Sequence, residues 1–171
     1  KIIADLTGPY ATNAAAMSAS AAWGGWLQTS FAAMLFLFSP LIGNLSDRFG
    51  RKPVLIASLL FLGFDYFITA IAPTIWWLFV SRILSGIAGA AYVTANAYIA
   101  DVSPPEKRAA NFGLTGAAFG IGFVVGPAIG GLLGQYGVRV PFFAAAALAV
   151  ANALFGLLVM KESLPLEKRR S

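Results

Sequence analysis

The chain has 171 residues, of which 58% are hydrophobic and 11% charged, with a formal net charge of +5. A soluble domain carries roughly 45–50% apolar and about 25% charged residues, so an ordinary water-soluble fold is excluded. The basic residues sit in short segments and at the C-terminal end, with no basic stripe interleaved with aromatics, so a nucleic-acid surface is excluded as well. With no Cys and no His, neither a disulfide framework nor a zinc site is expected.

Taken in chain order, the first stretch is the least apolar. Residues 1–23 read as an outer segment, since Pro9 to Ala22 is too polar and too small for a confident span. No basic start, apolar middle and cleavage site are present there, so it does not read as a signal peptide. Five apolar blocks follow, at about 24–45, 54–72, 75–100, 109–134 and 140–160. Each is long enough for a bilayer crossing, which needs roughly 20 residues. The prediction is an all-α, polytopic transmembrane bundle over 24–160, with residues 161–171 beginning a charged, Pro-containing cytoplasmic linker.

The connections are also legible. Pro53 opens the second span, where a missing N–H costs nothing. Ala72-Pro73-Thr74 is an outer turn, followed by Trp76 and Trp77 at interface depth. Lys and Arg number nine on one side (Arg48, Arg51, Lys52, Lys107, Arg108, Lys161, Lys168, Arg169, Arg170) and two on the other (Lys1, Arg139). Positive charge marks the cytoplasmic side. That places the N-terminus outside and the C-terminus in the cytoplasm, in a multi-pass protein of the cell (inner) membrane.

Four motifs carry chemistry. Gly43-Asn-Leu-Ser-Asp47-Arg48-Phe-Gly50-Arg51-Lys52-Pro53 combines glycines that permit a tight reversal with charges at the membrane edge. Asp65 and Arg82 are charges within spans, costly unless they face protein or water. At 1.5 Å per residue, Asp65 lies roughly 18 Å from the cytoplasmic edge and Arg82 roughly 20 Å, so the two are expected to pair, directly or through water. Gly122, Gly126, Gly130 and Gly134 recur every four residues, with Pro127 among them. That spacing lets another helix approach closely, and Pro127 favours a kink.

The first motif resembles the major facilitator signature Gly-x-x-x-Asp-Arg-x-Gly-Arg-Lys. Gly122-Phe-Val-Val-Gly126-Pro127-Ala-Ile-Gly130-Gly131 resembles the fifth-helix signature of that superfamily's drug/proton antiporter branch. Phe38-Ser-Pro40-Leu-Ile-Gly43, Gly63-Phe-Asp65-Tyr66, Ala97-Tyr-Ile-Ala-Asp101, Asn111-Phe-Gly113 and Glu162-Ser-Leu-Pro165 are similar to the tetracycline/proton antiporter group, so the resemblance spans residues 24–167. It implies five spans of a six-helix N-terminal half, the first helix and the C-terminal half being the missing partners. Also implied is export of amphipathic drugs such as tetracycline in exchange for protons, with no cofactor beyond the proton gradient and with a divalent cation carried on the substrate. Gly43, Asp47, Arg48, Gly50, Arg51 and Asp101 would form the conformational switch, Arg51 pairing with Asp101 and Asp47 holding the two halves together. Asp65 and Arg82 would couple protons. Gly122, Gly126, Pro127, Gly130 and Gly131 would seal the outer side, and Gln28, Asn96, Asn111 and Phe119, with Ser85 or Tyr92, would meet substrate. A metabolite or sugar permease and a non-transporting membrane scaffold are the alternatives. Without His, Cys or a phosphate-binding loop, an enzyme is not expected.

Overall fold

A computed structural model describes residues 14–169. Six helices follow one another: α1 (Ala14–Phe49), α2 (Arg51–Ile71), α3 (Ile75–Gly89), α4 (Ala91–Val102), α5 (Arg108–Gly134) and α6 (Val140–Val159). Every described regular element is helical. Helices α3 and α4 run on through Ala90 as one stretch, giving five segments long and apolar enough to cross a membrane. Residues 1–13 of the expected outer segment lie outside the described residues, and the rest of it is helical from Ala14.

In hydrocarbon every backbone group must be satisfied within the protein, and the polar side chains of α1 follow the same rule. Thr29, Ser30 and Ser39 return their hydroxyls to the carbonyls of Gly25, Trp26 and Leu35 at 2.9, 2.9 and 2.5 Å. This back-bonding hides the hydroxyls from hydrocarbon, and Pro40 lies inside the continuous helix.

The expected loop at 46–53 is almost wholly helical. Ser46 hydrogen-bonds the Gly43 carbonyl at 2.9 Å, Gly50 N–H closes on Ser46 O at 3.0 Å, and only Gly50 separates α1 from α2. Gly50 reverses the chain at φ 105, ψ 157, a region essentially reserved for glycine.

Helix packing rests on small residues. Gly86 of α3 lies so close to α1 that an added Cβ would sit 2.5 Å from Phe31 O and 2.6 Å from Met34 Cβ. Helices α2 and α6 meet over Gly63, where an added Cβ would lie 3.1 Å from Val150, and over the buried Ala146, Ala149 and Ala153. At the end of the bundle away from Gly50, Leu27, Ala72, Ile75 and Leu78 form an apolar cluster. Trp23 and Trp76 pack edge-on above it, their ring centroids 6.3 Å apart. Arg139 finishes α2, donating to the Ala70 and Ala72 carbonyls at 3.2 and 2.9 Å, where a cation also suits the helix dipole.

Helix α5 is different. None of its residues is buried, and among the described residues it packs only on α4, on α6 and on the short turn Pro105–Lys107. An added Cβ at Gly122, Gly126, Gly130, Gly131 or Gly134 would meet nothing within 4 Å. The close helix approach expected at this stripe is therefore not made by any described helix. Pro127 lies within an unbroken α5.

Candidate functional site: an edge charge cluster and a buried polar seam

The charge cluster is built around Arg51, the first residue of α2, because the single-residue reversal drops its guanidinium beside the last turn of α1. Its Nη1 donates to Ser46 Oγ at 2.6 Å and to the Asp47 carboxylate. Its Nε donates to Asp101 Oδ2, near the end of α4, at 3.2 Å. The Arg51 side chain is 12% exposed, against 39% and 30% for Asp47 and Asp101. One guanidinium thus ties three helix ends together, the fixed fork of donors being what allows it. Arg51 lies within ion-pair distance of Asp101, as expected. Asp47 turns to Arg51, and Arg48 stands apart, exposed, 5.6 Å from the centre of the Phe49 ring.

Residues beyond α6 complete this cluster; the sequence marks Glu162-Ser-Leu-Pro165 only as a point of family resemblance and gives it no part in the switch. Glu162 Oε1 accepts the Arg51 N–H at 2.8 Å, and its Oε2 accepts the Lys52 N–H at 3.3 Å. Ser163 Oγ donates to Asp101 Oδ2 at 3.1 Å. Partial burial works to raise the Glu162 carboxyl. The N–H groups of Leu164, Arg51 and Lys52, with the Arg169 guanidinium 3.7 Å away, outweigh it and hold the group below its ordinary value. The signal available beforehand was the absence of any capping side chain at Gly50, which leaves the first N–H groups of α2 needing an acceptor.

The second group lies between α2 and α3. Asp65, Thr69, Ser81 and Ser85 are all buried. Ser85 Oγ donates to Asp65 Oδ2, Thr69 Oγ1 donates to the Asp65 carbonyl at 3.0 Å, and the Thr69 and Ser81 hydroxyls are 2.5 Å apart. Asp65 Oδ1 has no hydrogen-bond partner.

The expected direct Asp65–Arg82 ion pair is not formed. The pairs Asp65–Ser85 and Thr69–Ser81 fix the antiparallel register of the hairpin, and that register sets Arg82 level with Ile68. The offset is three residues, or about 4.5 Å along the axis. Arg82 instead lines a cavity of about 280 Å³ with Gln28, Thr69 and Phe142; its guanidinium makes no direct ion pair among the described residues, but its charge still acts on the Asp65 carboxylate across the hairpin.

The four expected substrate contacts do not converge. Gln28 joins Arg82 in that cavity. Asn111 spends its amide on Ser103 Oγ at 2.7 Å, at the α4–α5 connection. Asn96 is half-buried on α4, while Phe119 is 71% exposed on α5. Among the other two candidates, Ser85 is taken by Asp65 and Tyr92 is exposed. Among the described residues no group of three or more His, Cys, Asp or Glu could hold a metal ion.

Comparison with known proteins fits this arrangement. The chain is 50% identical over 145 residues to the class C tetracycline resistance protein of Escherichia coli, covering 85% of this chain and 37% of that protein. It is 36% identical over 146 residues to multidrug resistance protein 2 of Bacillus subtilis, covering 85% and 36%. The crystal structure of the human organic anion transporter MFSD10 (TETRAN) superimposes with a TM-score of 0.77 at 33% identity, covering 85% of this chain and 34% of that one. The chain thus spans little more than a third of the length of the relatives it matches. The family model for the Major Facilitator Superfamily matches residues 3–171. With apolar helices closed by a glycine reversal at their charged edge and a sequence that matches along almost its whole length, the chain belongs to the Major Facilitator Superfamily.

Proposed function

We propose that this chain is part of a secondary transporter that exports amphipathic drugs, tetracycline among them, in exchange for protons by alternating access. The observation that carries the reading is Arg51 bridging Asp47 and Asp101. A guanidinium gripping three helix ends at the membrane edge is a contact that holds in one state of a rocking bundle and breaks in the other. The substrate class comes from the tetracycline and multidrug resistance relatives. Asp65 is the proton carrier: Ser85 holds one carboxylate oxygen, and the other is left unpartnered where a proton can be bound. The nine-to-two charge bias puts the Arg51 edge in the cytoplasm of an inner-membrane protein.

A second reading has one observation in its favour. Arg82 lines the Gln28 cavity with a guanidinium that no carboxylate contacts directly among the described residues, which favours a substrate bearing a negative charge, and a structural relative is an organic anion transporter.

Inverted membrane vesicles holding the full transporter test both. Tetracycline uptake that appears with an imposed proton gradient and collapses with a protonophore supports drug/proton exchange. Uptake indifferent to the gradient sinks it, and preference for organic anions over tetracycline selects the second reading.

A further inference from the structure

The sequence sets an unusual problem at the start of α2. The cap position is Gly50, which has no side chain, and the first turn holds no acidic residue. The first N–H groups of a helix need acceptors, and here the acceptor comes from 111 residues away. Glu162 takes Arg51 N–H and Lys52 N–H on its two oxygens, at 2.8 and 3.3 Å. Its own orientation is fixed by Leu164 N–H at 3.1 Å. Arg169 backs it, donating from Nε to Leu164 O at 3.3 Å.

The neighbouring residue grips the other end of the same ion pair. Ser163 Oγ donates at 3.1 Å to Asp101 Oδ2, the oxygen that also accepts Arg51 Nε at 3.2 Å. Two consecutive residues therefore hold the main chain of Arg51 and the carboxylate of Asp101. A further tie secures the segment, Tyr98 donating to Lys161 O at 3.1 Å, while Lys52 Nζ holds the last turn of α6 through Leu157 O at 2.8 Å. Gly50 lets the segment lie this close, since an added Cβ would come 2.8 Å from Arg169 Nη2 and 2.9 Å from Glu162 Cδ.

We propose that the segment leaving α6 is a working arm of the cytoplasmic switch, with Glu162 and Ser163 as positioning residues that set the Arg51–Asp101 pair. The inference rests on the reading of that pair as a switch. Movement of the chain beyond α6 is then felt at the pair, and breaking the pair releases the segment, because coupling between sites is reciprocal. A cap that served stability alone would show no such reciprocity.

The test uses the full transporter, with hydrogen–deuterium exchange and transport measured on the same preparations. Glu162→Ala should speed amide exchange at Arg51 and Lys52 about fivefold, as expected for a lost cap. It should also lower maximal transport several-fold at unchanged KM, with Glu162→Gln intermediate in both. Asp101→Asn, which leaves Glu162 intact, should speed exchange at Leu164. Exchange at Leu164 unchanged in Asp101→Asn overturns the coupling, as does faster exchange at Arg51 in Glu162→Gln with full transport. If Glu162→Ala does not insert, Glu162→Gln and Asp101→Asn decide. Should the parent transporter prove indifferent to the proton gradient, the functional reading fails, while exchange at Leu164 still decides the coupling.

Discussion

Replacing Gly50 by alanine is the sharpest test of how the charged edge is built. Two costs are separable. The backbone at φ 105, ψ 157 lies where a non-glycine residue costs about 1–3 kcal/mol. The new methyl would also press on the Glu162 carboxylate and lie 2.8 Å from Arg169 Nη2, so Glu162 must swing away. Loss of a helix cap is worth about 0.5–2 kcal/mol, and the sum is about 1.5–5 kcal/mol against a typical total of about 5–15 kcal/mol. Denaturant or thermal unfolding of the purified transporter measures it. In a Glu162→Ala background the cap is already gone and the steric conflict is relieved, so Gly50→Ala should cost only its backbone part. Stability within about 0.5 kcal/mol of the parent for the single variant, or strict additivity of the two substitutions, would refute the reasoning.

Three further outcomes follow from the same geometry. Arg51→Lys keeps the charge but loses the fork that reaches Ser46, Asp47 and Asp101 together. Stability should fall by only about 1 kcal/mol, because both carboxylates are partly solvated, while maximal transport in inverted vesicles drops about tenfold, a barrier change of about 1.4 kcal/mol. Asp65→Asn retains an oxygen for Ser85, so expression and thermal stability should hold while uptake loses its dependence on the proton gradient; gradient-dependent uptake in this variant would remove Asp65 as the carrier. Glu162 binds its proton less readily folded than unfolded, facing the Arg51 and Lys52 N–H groups and Arg169, so its contribution is complete above the ordinary value of 4.5. That contribution is lost as pH falls through the lower folded value, and Glu162→Gln should flatten the acid limb of a stability titration below that pH, whereas an unchanged limb would place the acid sensitivity elsewhere.

The fold was legible because hydrophobic blocks and turn residues are local signals. The blocks near 54–72, 109–134 and 140–160 fall within a few residues of α2, α5 and α6. The Arg51–Asp101 pairing was legible for a different reason, since charge layering and the motif put both at one membrane edge. What failed depended on information absent from a one-dimensional reading. Depth along two helices located Asp65 and Arg82 together but not the hairpin register, which serines and a threonine settle through Asp65–Ser85 and Thr69–Ser81. Gly50 as a one-residue connection was hidden because the surrounding charges suggested a loop, whereas the chain continues α1 to Phe49 and restarts at Arg51. The role of Glu162 was missed because its partners are backbone N–H groups, which leave no trace in side-chain chemistry.

The uneven packing of the bundle bears on where movement occurs. Helix α2 packs on α6 over Gly63 and small alanines and also on α3, and α3 packs on α1 at a separation that leaves no room for a methyl group at Gly86. Interfaces of this kind move as units rather than deform. Helix α5 offers the opposite surface, a glycine face with nothing against it among the described residues, flanked by the exposed Phe119, Phe123 and Val124. Any rocking must therefore be resolved at the borders of the packed group. One border is the α5 face, and the other is the charged edge around Arg51, where charge-assisted hydrogen bonds in partial solvent can break and reform at small net cost. Arg51 sits on that second border, its guanidinium bonded to Ser46 and Asp47 of α1 and to Asp101 of α4.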